Sequence, residues 1–320
     1  MSHLTREQRY TICSMLQKGY NQSEIARVIN KNKSVVSREV RRNADARSGQ
    51  YKDDLAHRKY LKRQEFKAKP RTFTPEVEQY VKDKLRLKYS PEQIAGVAKR
   101  DGDKCVSHER IYQFIWKDKR QKGTLYLDLR NRGRHYKKRS VIYDKRGTIP
   151  NRTDISQRPP EVELRERFGD LEIDLIIGKN HKSAILTIND RATGLAKLCK
   201  LNGKDADQLA KATINCLRDW KPLLYTITSD NGKEFSSHQM IAQELNIDFF
   251  FAKPYASWQR GSNENYNRLV RQYIPKKVDF DYVTQDYVSY VEQQLNNRPR
   301  KRFGYLSPNQ KSSDVWNTLG

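Results

Sequence analysis

The apolar residues of this chain recur at helical spacing up to about residue 128 and change, from Leu171 onward, to short runs of strand character. Helices repeat every 3.6 residues and strands every 2, so one packed layer cannot satisfy both patterns. The chain is therefore expected to be multidomain, with an all-α N-terminal part followed by an α/β domain. Its 320 residues suffice for two or three such units. Charge follows the same division. Residues 1–150 carry 38 Lys and Arg against 17 Asp and Glu, a net of +21, whereas residues 151–320 carry 25 against 21. An overall excess of +25 points to a polyanionic partner such as nucleic acid, gathered mainly by the first half.

Within the first half, Leu4 to Lys18 reads as a helix with apolar Tyr10, Ile12, Met15 and Leu16, closed by Gly19. Asn21-Gln-Ser-Glu24 has the form of a capping box opening a second helix through Ile25, Ala26 and Ile29. After the turn Asn30-Lys-Asn32, the segment Ser34 to Arg42 buries Val36 and Val40, leaving Lys33, Ser34, Ser37, Arg38, Arg41 and Arg42 free for DNA. The pattern is that of a helix-turn-helix whose last helix enters a major groove; a merely solvated basic face is its bland alternative.

A second copy follows. Ser90-Pro-Glu-Gln93 supplies an N-cap, a first-turn proline and a capping-box glutamine, and Ser107 opens a helix that buries Ile111, Phe114 and Ile115. His108 and Arg110 face outward there as candidate DNA contacts. The basic stretch with Arg132, Arg134, Lys137, Lys138 and Arg139 has little to bury and is expected to track phosphates. Expected boundaries are a helix-turn-helix at 1–43, a basic helical linker at 44–70, a second helix-turn-helix at 71–128, a basic, proline-containing linker at 129–160, and the α/β domain at 161–320. No apolar run is long enough for a membrane span, the start lacks a secretory h-region, and the four cysteines are too scattered for a disulfide framework or zinc knuckle. A cytosolic, soluble protein with no membrane partner is the expectation.

The second half reads as three strands in a meander, then helix, strand, helix, strand, helix, the order of an RNase H-like fold. Acidic residues interrupt its apolar runs at informative places. Asp174 lies within Leu171-Glu-Ile-Asp-Leu-Ile-Ile177, with Glu172 on the same face. Asp230 comes at a strand end in Ser229-Asp-Asn-Gly232, the end at which α/β sheets place their sites, although the same tripeptide is as common in turns. Glu264 begins a helix on which Arg268 stands one turn on, so an ordinary helical ion pair is its alternative role. Three converging carboxylates repel unless divalent cations neutralise them. Oxygen ligands without His or Cys select Mg²⁺, for which Mn²⁺ can substitute, and two such ions serve in-line phosphodiester displacement.

Asp230 and Glu264 have 33 residues between them, the D-D-(33)-E spacing of retroviral integrases and many insertion-sequence transposases. More narrowly, Tyr89-Ser-Pro-Glu-Gln-Ile-Ala95, Val106-Ser-His-Glu109, Asp174-Leu-Ile-Ile-Gly-Lys-Asn-His-Lys182, Ser229-Asp-Asn-Gly-Lys-Glu-Phe235, Pro254-Tyr-Ala-Ser-Trp-Gln-Arg-Gly-Ser-Asn-Glu-Asn265 and Leu295-Asn-Asn-Arg-Pro-Arg-Lys301 resemble the IS-thirty family of bacterial transposases over nearly the whole chain. The resemblance implies a DDE transposase with an integrase-like catalytic core. Asp174, Asp230 and Glu264 would be its catalytic and metal-ligating residues, and Trp258, Arg260, Asn263 and Arg268 would hold the DNA end. It also implies double-stranded DNA partners, namely the terminal inverted repeats and a target site, an end-joined intermediate, and a dimer or higher homo-oligomer on DNA. Where many members carry Trp-Glu-Gly-Asp, this chain has Leu171-Glu-Ile-Asp174, which leaves Asp170 as a rival for the first aspartate. Two other readings stay open at this point: a DNA-binding regulator with an inactive RNase H-like domain, and an integrase or nuclease relative.

Overall fold

Polar caps decide where the N-terminal helices begin. Thr5 and Gln8 form a reciprocal capping box at the start of α1 (Arg6–Gln17), and Asn21 and Glu24 do the same for α2 (Gln22–Val28). Asn32 accepts from the backbone of Ser34 at 2.9 Å to open α3 (Lys33–Asn43). In this computed structural model, residues 3–65, 72–132, 149–179, 183–203, 205–254, 256–276 and 278–316 are described. The chain divides into two units, 1–71 and 72–320.

The first unit closes around Ile12, Cys13, Ile25, Ala26 and Val36. Complete burial of Ile12, Ile25 and Val36 stabilises it by about 1.5–3 kcal/mol each. The stretch after residue 43 is helical as expected, forming α4 (Asp53–Glu65), but it packs against α1 and lends Tyr51 and Ala56 to this core instead of standing apart as a linker. Lys59 and Arg63 of α4 donate to Ala44 O and Asn43 Oδ1, closing the C-terminal end of α3. Tyr10, expected on the apolar stripe, is 65% exposed, and its neighbour Arg9 is buried. Arg9 lies against the Tyr60 ring, pairs with Glu39 at 2.8 Å and donates to Leu4 O, so its charge is satisfied inside the bundle.

The second unit begins with a three-helix bundle, α5 (Pro75–Arg86), α6 (Pro91–Asp101) and α7 (His108–Arg120). Ser90 and Gln93 form the expected capping box, and Gly102 ends α6 at φ +78°, a conformation that favours glycine. Val77, Val81, Leu85, Ile94, Ile111 and Ile115 make its core, while Phe114 is half-buried against Phe73. This bundle seats on the α/β domain. Tyr305 lies so close to Gly96 that a Cβ there would stand 2.2 Å from its ring.

The α/β domain is a six-stranded sheet in the order β1-β6-β5-β2-β3-β4, comprising β1 (Thr153–Asp154), β2 (Asp170–Ile177), β3 (Ala184–Asp190), β4 (Ala196–Leu201), β5 (Thr226–Ser229) and β6 (Asp248–Phe251). β2, β3 and β4 form the antiparallel meander, and β5, β6 and β1 extend it in parallel with β2. This is the RNase H-like arrangement the element order implied. Residues 149–160 belong to it rather than to a linker. Ile149 is buried in the core, and Thr153 pairs with Phe250. The helices are α8 (Glu161–Leu164), α9 (Ala206–Leu217), α10 (His238–Leu245), α11 (Gly261–Tyr273), α12 (Gln285–Asn296), α13 (Pro308–Lys311) and α14 (Ser313–Trp316).

Alternation along β2 separates two cores. Leu171, Ile173 and Leu175 face the layer that includes Leu209 of α9 and Ile241 of α10, and Ile176 faces the layer built by Tyr266, Leu269 and Val270 of α11 with α12. Asp174 therefore lies on the α11 side. Gly169, at φ +103°, lets the chain enter β2 against Leu223 O, where a Cβ would approach to 1.8 Å.

Candidate active site

Three neighbouring acids on or beside β2 have different surroundings. Asp170 is 1% exposed and accepts from Arg167 Nε at 2.8 Å, from Arg167 Nη2 at 3.1 Å and from Thr226 Oγ1 at 2.8 Å. Glu172 is wholly buried, pairs with Arg191 at 2.6 Å and accepts from the Asn263 backbone N–H at 2.8 Å. Both carboxylates are saturated by protein donors. Asp174 keeps an open aspect: its Oδ2 accepts from Asn267 Nδ2 at 2.8 Å and lies 3.5 Å from the Arg260 guanidinium.

That guanidinium is also 3.5 Å from Oδ2 of Asp230, which follows β5 and anchors its turn by accepting from Gly232 N at 3.0 Å. Parallel pairing of β2 with β5 in the middle of the sheet brings the two aspartates side by side, Asp230 at the carboxyl end of β5. Burial drives the Asp174 carboxyl up to about 6; Arg260 opposes this rise and Asp230 adds to it. Such a shift does not by itself mark a site. Asp190 is also pushed up to about 6 by burial, yet it serves a turn by accepting from Gly169 N and Thr193 N.

Glu264 projects from the first turn of α11, half-exposed, and pairs with Arg268 one turn on. Among the described residues no three His, Cys, Asp or Glu side chains are already gathered as a metal cage. Asp174 and Asp230 converge on a shared cation, and Glu264 stands on the adjoining helix with a partner that water can replace.

The expected DNA contacts fall into distinct settings. Lys33, Ser34, Arg38, Arg41 and Arg42 are exposed on α3, with Ser37 half-buried, and His108 and Arg110 are exposed on α7. Arg132 is exposed and donates to Gln272 O. Arg134, Lys137, Lys138, Arg139 and the Trp258 side chain lie outside the described residues. Asn263, expected at the DNA end, is instead fully buried. Its Oδ1 lies 3.1 Å from Thr187 Oγ1, fastening α11 to β3. Sequence reasoning missed Asn267 and Thr187, which orient Asp174 from above and beside it. Asn263 and Asn267 are one turn apart on the α11 face toward the sheet, a spacing that could have drawn notice.

Residues 1–43 match the helix-turn-helix domain family. The transposase for insertion sequence element IS4351 of Bacteroides fragilis is 53% identical over 315 residues, covering 98% of this chain and 97% of the relative. This chain belongs to the insertion-sequence transposases. The transposase InsI for element IS30A of Escherichia coli is 32% identical and covers 96% of this chain and 82% of its own, which places the protein in the IS-thirty family. Among solved structures, the catalytic core domain of BIV integrase aligns with 47% of this chain and 97% of its own at 19% identity and a TM-score of 0.38. The transposase thus joins helix-turn-helix DNA binding to an α/β core, and none of its described helices is long and apolar enough to cross a membrane.

Proposed function

We propose that this transposase cleaves and joins DNA strands at the terminal inverted repeats of its own element, with Asp174, Asp230 and Glu264 as its catalytic acids. The observation that carries the proposal is the shared Arg260 guanidinium: two aspartates from adjacent strands already require a cation between them. The donor set fits Mg²⁺ or Mn²⁺, being carboxylate oxygen throughout. Asp174 and Asp230 would hold the ions, and Glu264 would complete the set on leaving Arg268. The chemistry such ions supply when bound is activation of the attacking oxygen and neutralisation of the leaving one.

The remaining steps belong to the protein. Asn267 fixes the Asp174 carboxylate, while Asn263 and Glu172 hold the first turn of α11 to the sheet, so that Glu264 is carried on a rigid element. Arg260, released from the aspartates, can pair with a DNA phosphate. No side chain need become covalently attached to DNA; the attacker is water in cleavage and a 3′-hydroxyl in joining. The protein acts as a dimer or larger assembly, since an element has two ends to be joined.

A duplex carrying the repeat that flanks the gene tests this. Nicking with a free 3′-hydroxyl is expected with Mg²⁺ or Mn²⁺ and not with chelator, and a covalent protein–DNA adduct would overturn the assignment. The raised Asp174 carboxyl adds a pH dependence. Protons compete with metal below about pH 6, so the metal concentration giving half-maximal cleavage should rise about tenfold per unit as pH falls beneath it. A flat profile between pH 5 and 7 would remove Asp174 from the metal site.

Base reading is assigned to α3. Arg38, exposed and braced by its Nε donating to Ser34 O at 2.9 Å, can reach base edges. Arg38→Ala should weaken specific binding by about 1–3 kcal/mol and relax preference at one or two base pairs. Competition with single-base variants measures this; equal weakening on all sequences would make α3 a phosphate anchor.

A further inference from the structure

The motif Asn297-Arg-Pro-Arg-Lys301 takes no part in the site described above. It follows α12 and passes beneath the second helical bundle, where Arg298 is only 2% exposed. Arg298 donates from Nε to Gln93 Oε1 at 3.1 Å and from a terminal nitrogen to Gln272 Oε1 at 2.8 Å, both neutral acceptors. Arg300 donates to Leu295 O, and Arg130 to Asn265 Oδ1 at 2.9 Å. Among the described residues, none of these three arginines has a carboxylate at ion-pair distance. Burial, aided by repulsion from Arg300 and Arg130, pushes Arg298 down to about 9, and burial, aided by repulsion from Arg302 and Arg130, pushes Arg300 down to about 10. Of the three, Arg298 is buried, Arg300 half-buried and Arg130 exposed; a cation as buried as Arg298 is ordinarily paired, because an unpaired charge out of water is costly.

All three arginines line one cavity of about 510 Å³. Among the described residues that line it, the one carboxylate, Glu92, is already neutralised by Lys301 at 2.6 Å. The Ser262 and Tyr266 hydroxyls, from lining residues of α11, are buried without a hydrogen-bond partner, and Tyr266 is 2% exposed. Guanidinium groups without a carboxylate partner thus line one open cavity, beside two residues whose buried hydroxyls lack an acceptor. Its complement is an oxyanion with several acceptor oxygens. The α11 wall of the cavity, from Gly261 to Asn265, is the turn that carries Glu264 and follows Arg260.

We infer that Arg130, Arg298, Arg300, Ser262 and Tyr266 form a phosphodiester-binding site, which grips the DNA backbone beside the strand being cut. That the phosphate is one of DNA rests on the transposase reading proposed above; the site itself rests on the cavity. Arginine suits the task, because its planar fork matches two phosphate oxygens and it stays charged when partly desolvated.

The test uses the full chain and a terminal-repeat duplex in which single phosphates are replaced, one position at a time, by uncharged methylphosphonate. Wild-type binding should fall about tenfold at the phosphate that enters the cavity. Arg300→Gln and the milder Tyr266→Phe should each blunt that loss at the same position, and Arg300→Gln should lower the salt slope by about 0.9. Melting of the DNA-free protein should be unchanged or higher in Arg300→Gln, since a half-buried charge repelled by Arg302 and Arg130 is removed. Methylphosphonate profiles of both variants that superpose on wild type would overturn the proposal, as would a lower melting temperature in Arg300→Gln with unaltered DNA affinity. Inorganic phosphate that stabilises wild type but not the variants, with unchanged DNA profiles, would assign the cavity to free phosphate and equally overturn it. Binding is read without cleavage. Loss of nicking with an intact methylphosphonate effect would therefore count against the catalytic assignment alone.

Discussion

Asp174→Asn, Asp230→Asn and Glu264→Gln are each expected to lower strand cleavage and strand joining by about a thousandfold or more, while sequence-specific DNA binding stays near wild type. Each substitution keeps the side chain's size and removes the charge that would ligate a cation. Asp174 and Asp230 share Arg260, so neutralising either one also frees that guanidinium. Asp170→Asn provides the contrast. It breaks a twofold contact with Arg167 and disturbs the bond from Thr226, so its effect should be on melting temperature rather than on chemistry. Gel assays of nicking and joining, run beside binding on the same duplex, separate the two. Full activity in Asp174→Asn with none in Asp170→Asn would exchange their roles.

The largest effect on stability is expected at Arg191. Its side chain is 1% exposed, and it joins the fully buried Glu172 at 2.6 Å to Glu163 of α8 at 2.9 Å. Arg191→Met leaves the Glu172 carboxylate charged and unpaired in the interior, which should cost about 3–5 kcal/mol and lower the melting temperature by roughly 10 °C. Adding Glu172→Gln should recover much of this, because the amide oxygen still accepts from Asn263 N–H and no buried charge remains. Urea or thermal unfolding of the single and double variants measures the coupling. A double variant no more stable than Arg191→Met would show that packing, not charge, sets the cost. Since Asn263 ties α11 to Glu172, the single variant should also weaken catalysis by loosening the helix that bears Glu264.

Local chemistry alone determined much of this protein. Helix starts at Thr5, Asn21, Asn32, Ser90 and Ser107 follow from caps that satisfy the first free N–H groups, an interaction closed within four residues of sequence. The change of apolar period at Leu171 determined the α/β domain, because a strand's alternation is a property of its own backbone. Acidic residues interrupting apolar runs singled out Asp174, Asp230 and Glu264, the caps at Ser90 and Ser107 announced the second helical bundle, and the 53% identical relative bears out the family membership that the motifs implied.

Tertiary structure decided which groups meet. Asp170, Glu172 and Asp174 share one face of β2 and are equivalent by period; only Arg167 and Arg191, brought in from other segments, saturate the first two and leave the third open. Arg9 reads as a surface cation until Glu39 and Tyr60 enclose it, and the basic stretch after residue 43 reads as a linker until Tyr51 and Ala56 find the α1 core. Thr153 and Asp154 are too short to announce a strand and become one by pairing with β6. Nothing in the sequence sets Arg298 apart from the other cations of its motif, and the seating of the second bundle, through Gln93, takes it out of water. Partners distant along the chain leave no periodic trace, since the energy of a buried charge depends on what surrounds it in space.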